Sequence, residues 1–201
     1  MSLPSLILVC CEGNTEAKYF SLLKKRFRLP TYVRVIPDPD EDYHRLGQHE
    51  RLIDKSSSKR EEYAKEFNIP VENIEVWAVC DRDNYKDSYT KLKRYANSKN
   101  VLLAFSDPQF ENYLLQHFAA NNSTNKKSAV EAELTTYMSV QNPNYAPYQK
   151  GNLDWLDEMI DEKHAIVGIA IKNANIFSNH TKQPFFTVQK LVDRLVSLVQ
   201  K

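Results

Sequence analysis

Glycine is scarce, four residues against nine prolines, and with 42% apolar residues the chain reads as an ordered globule, neither a linker protein nor a disordered one. Cysteine is scarce too. The three are odd in number, with Cys10 and Cys11 adjacent and Cys80 at the end of another apolar run. This makes neither a disulfide framework nor a zinc site, and all three are expected to be reduced core residues. No segment approaches the ~20 apolar residues of a membrane span. The short apolar run Leu3 to Cys10 has no basic flank or cleavage site, so a cytoplasmic protein without membrane contact is expected. An excess of one charge is also missing: 27 Lys and Arg face 26 Asp and Glu, so any nucleic-acid surface would be a local patch. The 201 residues suffice for one substantial core with an appendage.

What is present is an alternation of strand and helix signals. Leu6 to Cys11 form a strand buried on both faces, followed by E-G-N-T-E at 12–16, with Thr15 expected as the helix N-cap. Ala17, Phe20, Leu22, Leu23 and Phe27 then keep helical spacing to about Arg28, before Pro30. Tyr32 to Ile36 is a second strand. The polar stretch 38–58 has no clear period and is expected to be a surface excursion with His44 and His49 solvated; a helix covers Ser57 to Phe67. The third strand lies in I-E-V-W-A-V-C-D-R-D, Ile74 to Asp83, and the fourth is Val101 to Phe105, after a helix over Ser88 to Ser98. The class is therefore α/β, with a four-stranded, mainly parallel sheet flanked by helices over 1–120. In S-D-P-Q-F-E-N-Y-L-L-Q-H-F at 106–118, Pro108 and Glu111 fall in the first turn of a helix whose apolar stripe is Phe110, Leu114, Leu115 and Phe118. Residues 121–201 read as a helical C-terminal extension, with helices near 127–139, 153–160, 165–177 and 188–199. An irregular connection at 141–151 carries Tyr145, Tyr148 and Lys150.

Ligands of open parallel sheets gather beyond the carboxyl ends of the strands, where Glu12, Asp81, Asp83 and Ser106 fall. In an extended segment Asp81 and Asp83 point the same way with Arg82 opposite, and two like charges held close call for a divalent cation. Asp-x-Asp alone also describes acids that end a strand and open a turn. Its conjunction with Glu12 is what selects a magnesium site able to activate a nucleophile and neutralise a phosphate. Glu111 is either a dipole partner of its helix or a further site acid. His117, beside an apolar stripe, is expected to be structural. Tyr148 and Lys150 are candidates to meet a phosphate beside a stacking aromatic, although exposed loop lysines are common.

The L-I-L-V-C-C-E-G-N-T-E-A-K-Y-F start, the V-W-A-V-C-D-R-D strand, the F-S-D-P-Q-F-E-N-Y-L-L-Q-H-F block, the Tyr148 and Lys150 pair and the ending from Thr187 to Leu195 together resemble the RloB-like, or AbiLii-like, family over nearly the whole chain. Two positions depart from its pattern, Tyr113 standing where tryptophan is usual and Asp107 where asparagine is. The resemblance implies a Toprim-like core in which Glu12, Asp81 and Asp83 bind magnesium (or manganese). It also implies association with restriction and phage-defence loci, typically beside an ATPase of the ABC or SMC-like type. The expectation is a magnesium-dependent antiphage nuclease acting on DNA or RNA, including tRNA. Glu12 would be base or ligand, Asp81 and Asp83 metal ligands, Glu111 a further acid, and Tyr148 and Lys150 substrate contacts. The alternative is a non-catalytic subunit docked on that ATPase. A homodimer is expected to use the last helix. A receiver-type signalling domain is discounted, because it would want its paired acids after the first strand.

Overall fold

Leu6–Cys11 form β1, and all six residues are buried. A strand so uniformly apolar has to be covered on both faces, and β1 lies inside the sheet. The computed structural model describes residues 5–38, 46–83, 85–123, 126–160 and 165–199. In it β2 (Val33–Ile36), β3 (Ile74–Asp81), β4 (Leu102–Asp107) and β5 (Phe185–Phe186) join β1 in the order β2-β1-β3-β4-β5. β1 is parallel to β2, with Ile7 opposite Val33, and parallel to β3, with Val9 opposite Trp77. β5 is antiparallel to β4. The α/β class is as expected, with five strands in place of four.

The helices are α1 (Asn14–Arg26), α2 (His49–Phe67), α3 (Tyr89–Ser98), α4 (Phe110–Leu115), α5 (Lys127–Gln141), α6 (Asp154–Met159), α7 (Ala165–Ile176) and α8 (Val188–Val196). By contacts the chain divides into two units, Met1–Cys80 with Asn84–Ala104, and Asp81–Asp83 with Phe105–Lys201; β3 and β4 pass from one into the other.

In the first unit α1 packs on β1 and β2, and α2 packs on β1 and α3. Thr15 is not the N-cap of α1: the cap is Gly13, and Thr15 is buried inside the first turn. α2 begins at His49, not at Ser57, so the excursion is shorter than its composition implied. Four residues of its first turns are buried, His49, Leu52, Ile53 and Ser56, amid Arg51, Asp54 and Lys55, and so sparse a stripe hides the period. His49 is correspondingly buried, not solvated, and stacks on Tyr85 at 4.4 Å. His44 lies outside the described residues. Cys10, Cys11 and Cys80 are buried, reduced cysteines. Burial pushes the Cys10 thiol up to about 11, so it stays protonated and unreactive.

In the second unit all six residues of α4 are buried, and α4 packs on α5 and α7. Pro108 precedes this helix instead of starting it. The segment Gln183 to Thr187, expected to be part of a helical tail, carries β5. The Thr187 N–H donates to the Phe105 carbonyl, and the Phe105 N–H donates to Thr187 Oγ1, both at 2.8 Å. An open edge of β4 is thereby satisfied by only a few residues, which no periodicity could announce. The stripe Val188, Leu191, Val192 and Leu195 of α8 is buried in the chain's own core. Among the described residues no helix is long and apolar enough to cross a membrane.

His117 is 2% exposed, and its Nδ1 lies 3.1 Å from the Leu114 carbonyl, to which Nδ1–H donates. Burial disfavours the charged ring and lowers its pKa from 6.5 to about 4. Between those values the unfolded chain binds a proton that the native one does not, so stability is full above pH ~6.5 and declines as pH falls towards ~4, by up to about 3 kcal/mol. Urea titrations at pH 7.5 and 4.5 should show this loss, and His117→Gln should reduce it. An unchanged pH dependence in the variant would assign the acid sensitivity to other groups.

Candidate metal centre

β1 and β3 are hydrogen-bonded neighbours, and parallel pairing brings their carboxyl ends to the same side of the sheet. Glu12 follows β1 directly, its N–H donating to the Val79 carbonyl at 2.9 Å, which continues the ladder one residue past the strand. Asp81 is the last residue of β3. Glu12, at 9%, and Asp81, at 6%, are both buried. One carboxylate oxygen from each of Glu12, Asp81 and Asp83 falls in a group whose members all lie within 4.8 Å of one another.

Asp83 arrives there by a different route from the one the sequence predicts. β3 stops at Asp81, and Asp83 has φ +36°, so the extended alternation ends and the chain turns. Aspartate tolerates the left-handed region better than most residues do. The turn is held by backbone bonds, Arg82 N–H to the Ser106 carbonyl at 2.9 Å and Asp83 N–H to the Pro108 carbonyl at 3.4 Å. The Asp81 carboxylate is oriented as well: Oδ2 accepts from the Phe110 N–H at the start of α4, at 3.4 Å.

Sequence reasoning missed the partners of this turn. Arg82 Nε donates to Asp107 Oδ2 at 2.7 Å, and the other Asp107 oxygen accepts from Gln183 Nε2 at 2.6 Å. The Asp107 side chain is 4% exposed. A buried carboxylate satisfied on both oxygens holds Arg82 and the segment leading to β5 together, and takes Asp107 out of the donor set. Asp107, at the end of the fourth strand and before a proline, was the only signal in the sequence.

Glu111 is buried but does not belong to the three-acid group; its Oε1 accepts from the Tyr148 hydroxyl at 3.4 Å. Burial, with the Glu111 charge second, pushes that hydroxyl well above its ordinary pKa, so it remains a donor. Tyr148 is buried, whereas Lys150, two residues on, is exposed. Ser106 lies within β4, fully buried, and its Oγ has no hydrogen-bond partner among the described residues.

Three carboxylates within 4.8 Å repel one another unless a cation sits between them. Hard oxygen donors suit magnesium or manganese over zinc or copper. With metal–oxygen distances of ~2.1 Å, ligand oxygens lie roughly 3–4 Å apart, so the spacing fits. Glu12, Asp81 and Asp83 would hold such an ion, with water completing the shell.

A family model described as RloB-like protein matches residues 7–195. No curated protein and no solved structure matches the chain.

Proposed function

The chain belongs to the RloB-like family, and from that premise we propose that it is a magnesium- or manganese-dependent nuclease of an antiphage system, hydrolysing nucleic-acid phosphodiesters on a Toprim-like core. The observation that carries the proposal is the convergence of Glu12, Asp81 and Asp83 at the ends of neighbouring parallel strands. Bound there, the cation would act as a Lewis acid towards a phosphate oxygen and lower the pKa of water. The chain's own groups do the rest. Asp81, pinned by the Phe110 N–H, and exposed Asp83 would hold the ion. Glu12, buried and fixed by its backbone bond to Val79, takes the proton of the attacking water. Glu111 acts through position: with Tyr148 it steadies the first turn of α4, which presents the Phe110 N–H to Asp81.

The test is calorimetric titration with magnesium and manganese, run beside incubation with plasmid, single-stranded DNA and total tRNA, on wild type and Glu12→Ala. Cleavage of one of these substrates by wild type only is the expected result, and it names the nucleic acid. Equal cleavage by Glu12→Ala would remove Glu12 from the chemistry. A second reading, a non-catalytic subunit docked on an ABC or SMC-like ATPase, draws on Val140 and Ile176, 74% and 64% exposed. Defence activity that survives Glu12→Ala and is lost in Val140→Asp or Ile176→Asp would favour it.

A further inference from the structure

The second unit contains a cavity of about 230 Å³ whose lining includes Met138, Tyr145, Tyr148, Asp154, Trp155 and Glu158. Two of its aromatic rings are held by neighbours. Trp155 is 2% exposed and stacks on Phe118 at 5.2 Å, and Phe118 stacks in turn on Tyr137. Tyr148 is held at its far end by Glu111. Two carboxylates accompany these rings. Asp154 and Glu158 are four residues apart on α6 and share one face of the helix, where like charges repel. Among the described lining residues there is no lysine, arginine or histidine.

This environment rejects phosphate and suits a cation. Ring faces attract positive charge, and carboxylates neutralise it. A planar guanidinium does both at once, stacking on an aromatic face and donating two N–H groups to a carboxylate, which an ammonium does less well. Glu158 accepts from the Tyr145 hydroxyl, whereas the Trp155 indole N–H is buried without an acceptor among the described residues. A bare guanidinium has no acceptor to offer, whereas an arginine within a polypeptide brings its backbone carbonyl. We infer that this cavity receives an arginine residue of a partner polypeptide. The lining includes none of the three acids, and the inference does not depend on nuclease chemistry.

Ligand-observed NMR on the full-length protein tests it, with N-acetyl-arginine N-methylamide as the probe. Saturable binding is expected, at least about tenfold tighter than that of the isosteric neutral citrulline amide. The combined Asp154→Asn and Glu158→Gln variant should lose binding to a similar extent. The citrulline comparison uses wild type alone, so the inference stays falsifiable even where the variant fails to fold. Equal binding of the citrulline amide, or of a folded double variant, would overturn the cation site. Agmatine binding as tightly as the arginine amide would overturn the polypeptide assignment, because agmatine lacks the carbonyl. Absence of arginine-amide binding, or stronger binding of guanosine monophosphate, would overturn it as well.

Discussion

Asp81→Asn is expected to abolish metal-dependent stabilisation and to lower any nuclease rate by at least about 10²-fold, while the metal-free protein becomes as stable as wild type or more so. The substitution keeps the shape and an oxygen able to accept the Phe110 N–H, so the start of α4 should not move. What it removes is one negative charge from a group of three oxygens within 4.8 Å, which without a cation is a source of repulsion. In wild type, an ion at a hundred times its Kd should add about 2.7 kcal/mol to unfolding stability, seen as a rise in Tm with magnesium or manganese. The variant should show little of that rise. A Tm increase of equal size in both proteins would mean that the ion binds elsewhere, and it would sink the assignment whether or not cleavage is detected.

Phe186→Ala is expected to destabilise the protein by about 3–5 kcal/mol. Phe186 is fully buried in a strand of two residues, meeting Tyr113 and Phe177 edge-on at ring-centroid distances of 6.0 and 6.2 Å. Its removal would leave a cavity in the second unit beside α4, the helix that positions Asp81. Ile176→Ala is the control, since Ile176 is 64% exposed and should lose well under about 1 kcal/mol. Urea midpoints of the two variants decide the matter. Similar losses would mean that β5 contributes no core packing.

The contrast between those two residues also marks the limit of what was legible in the sequence. Where a segment is buried along its length, as Leu6–Cys11 and Val76 to Cys80 are, the run of apolar side chains is itself the physical cause of the strand, and it can be read directly. α3 and its Ser88 cap, whose side chain accepts from Lys91 N–H, follow equally local rules. β5 does not. Phe185 and Phe186 become a strand because β4 has an edge to fill, a fact that lies 80 residues away along the chain. The first turns of α2 were hidden for a related reason. A helix touching the core through few residues keeps a mostly charged sequence.

The candidate site divides in the same way. The sequence by itself determined that acids would stand at the carboxyl ends of two buried strands, because Glu12 directly follows one and Asp81 ends the other, and a parallel pairing leaves those ends together. Only the tertiary structure decided the rest. The positive φ of Asp83 replaced strand alternation with a turn. Asp107 became the partner of Arg82 and Gln183, and Glu111 the partner of Tyr148. Those pairings join residues 25 to 76 positions apart and depend on which buried polar groups find each other once the core has formed, a choice made by packing and desolvation that no local pattern records.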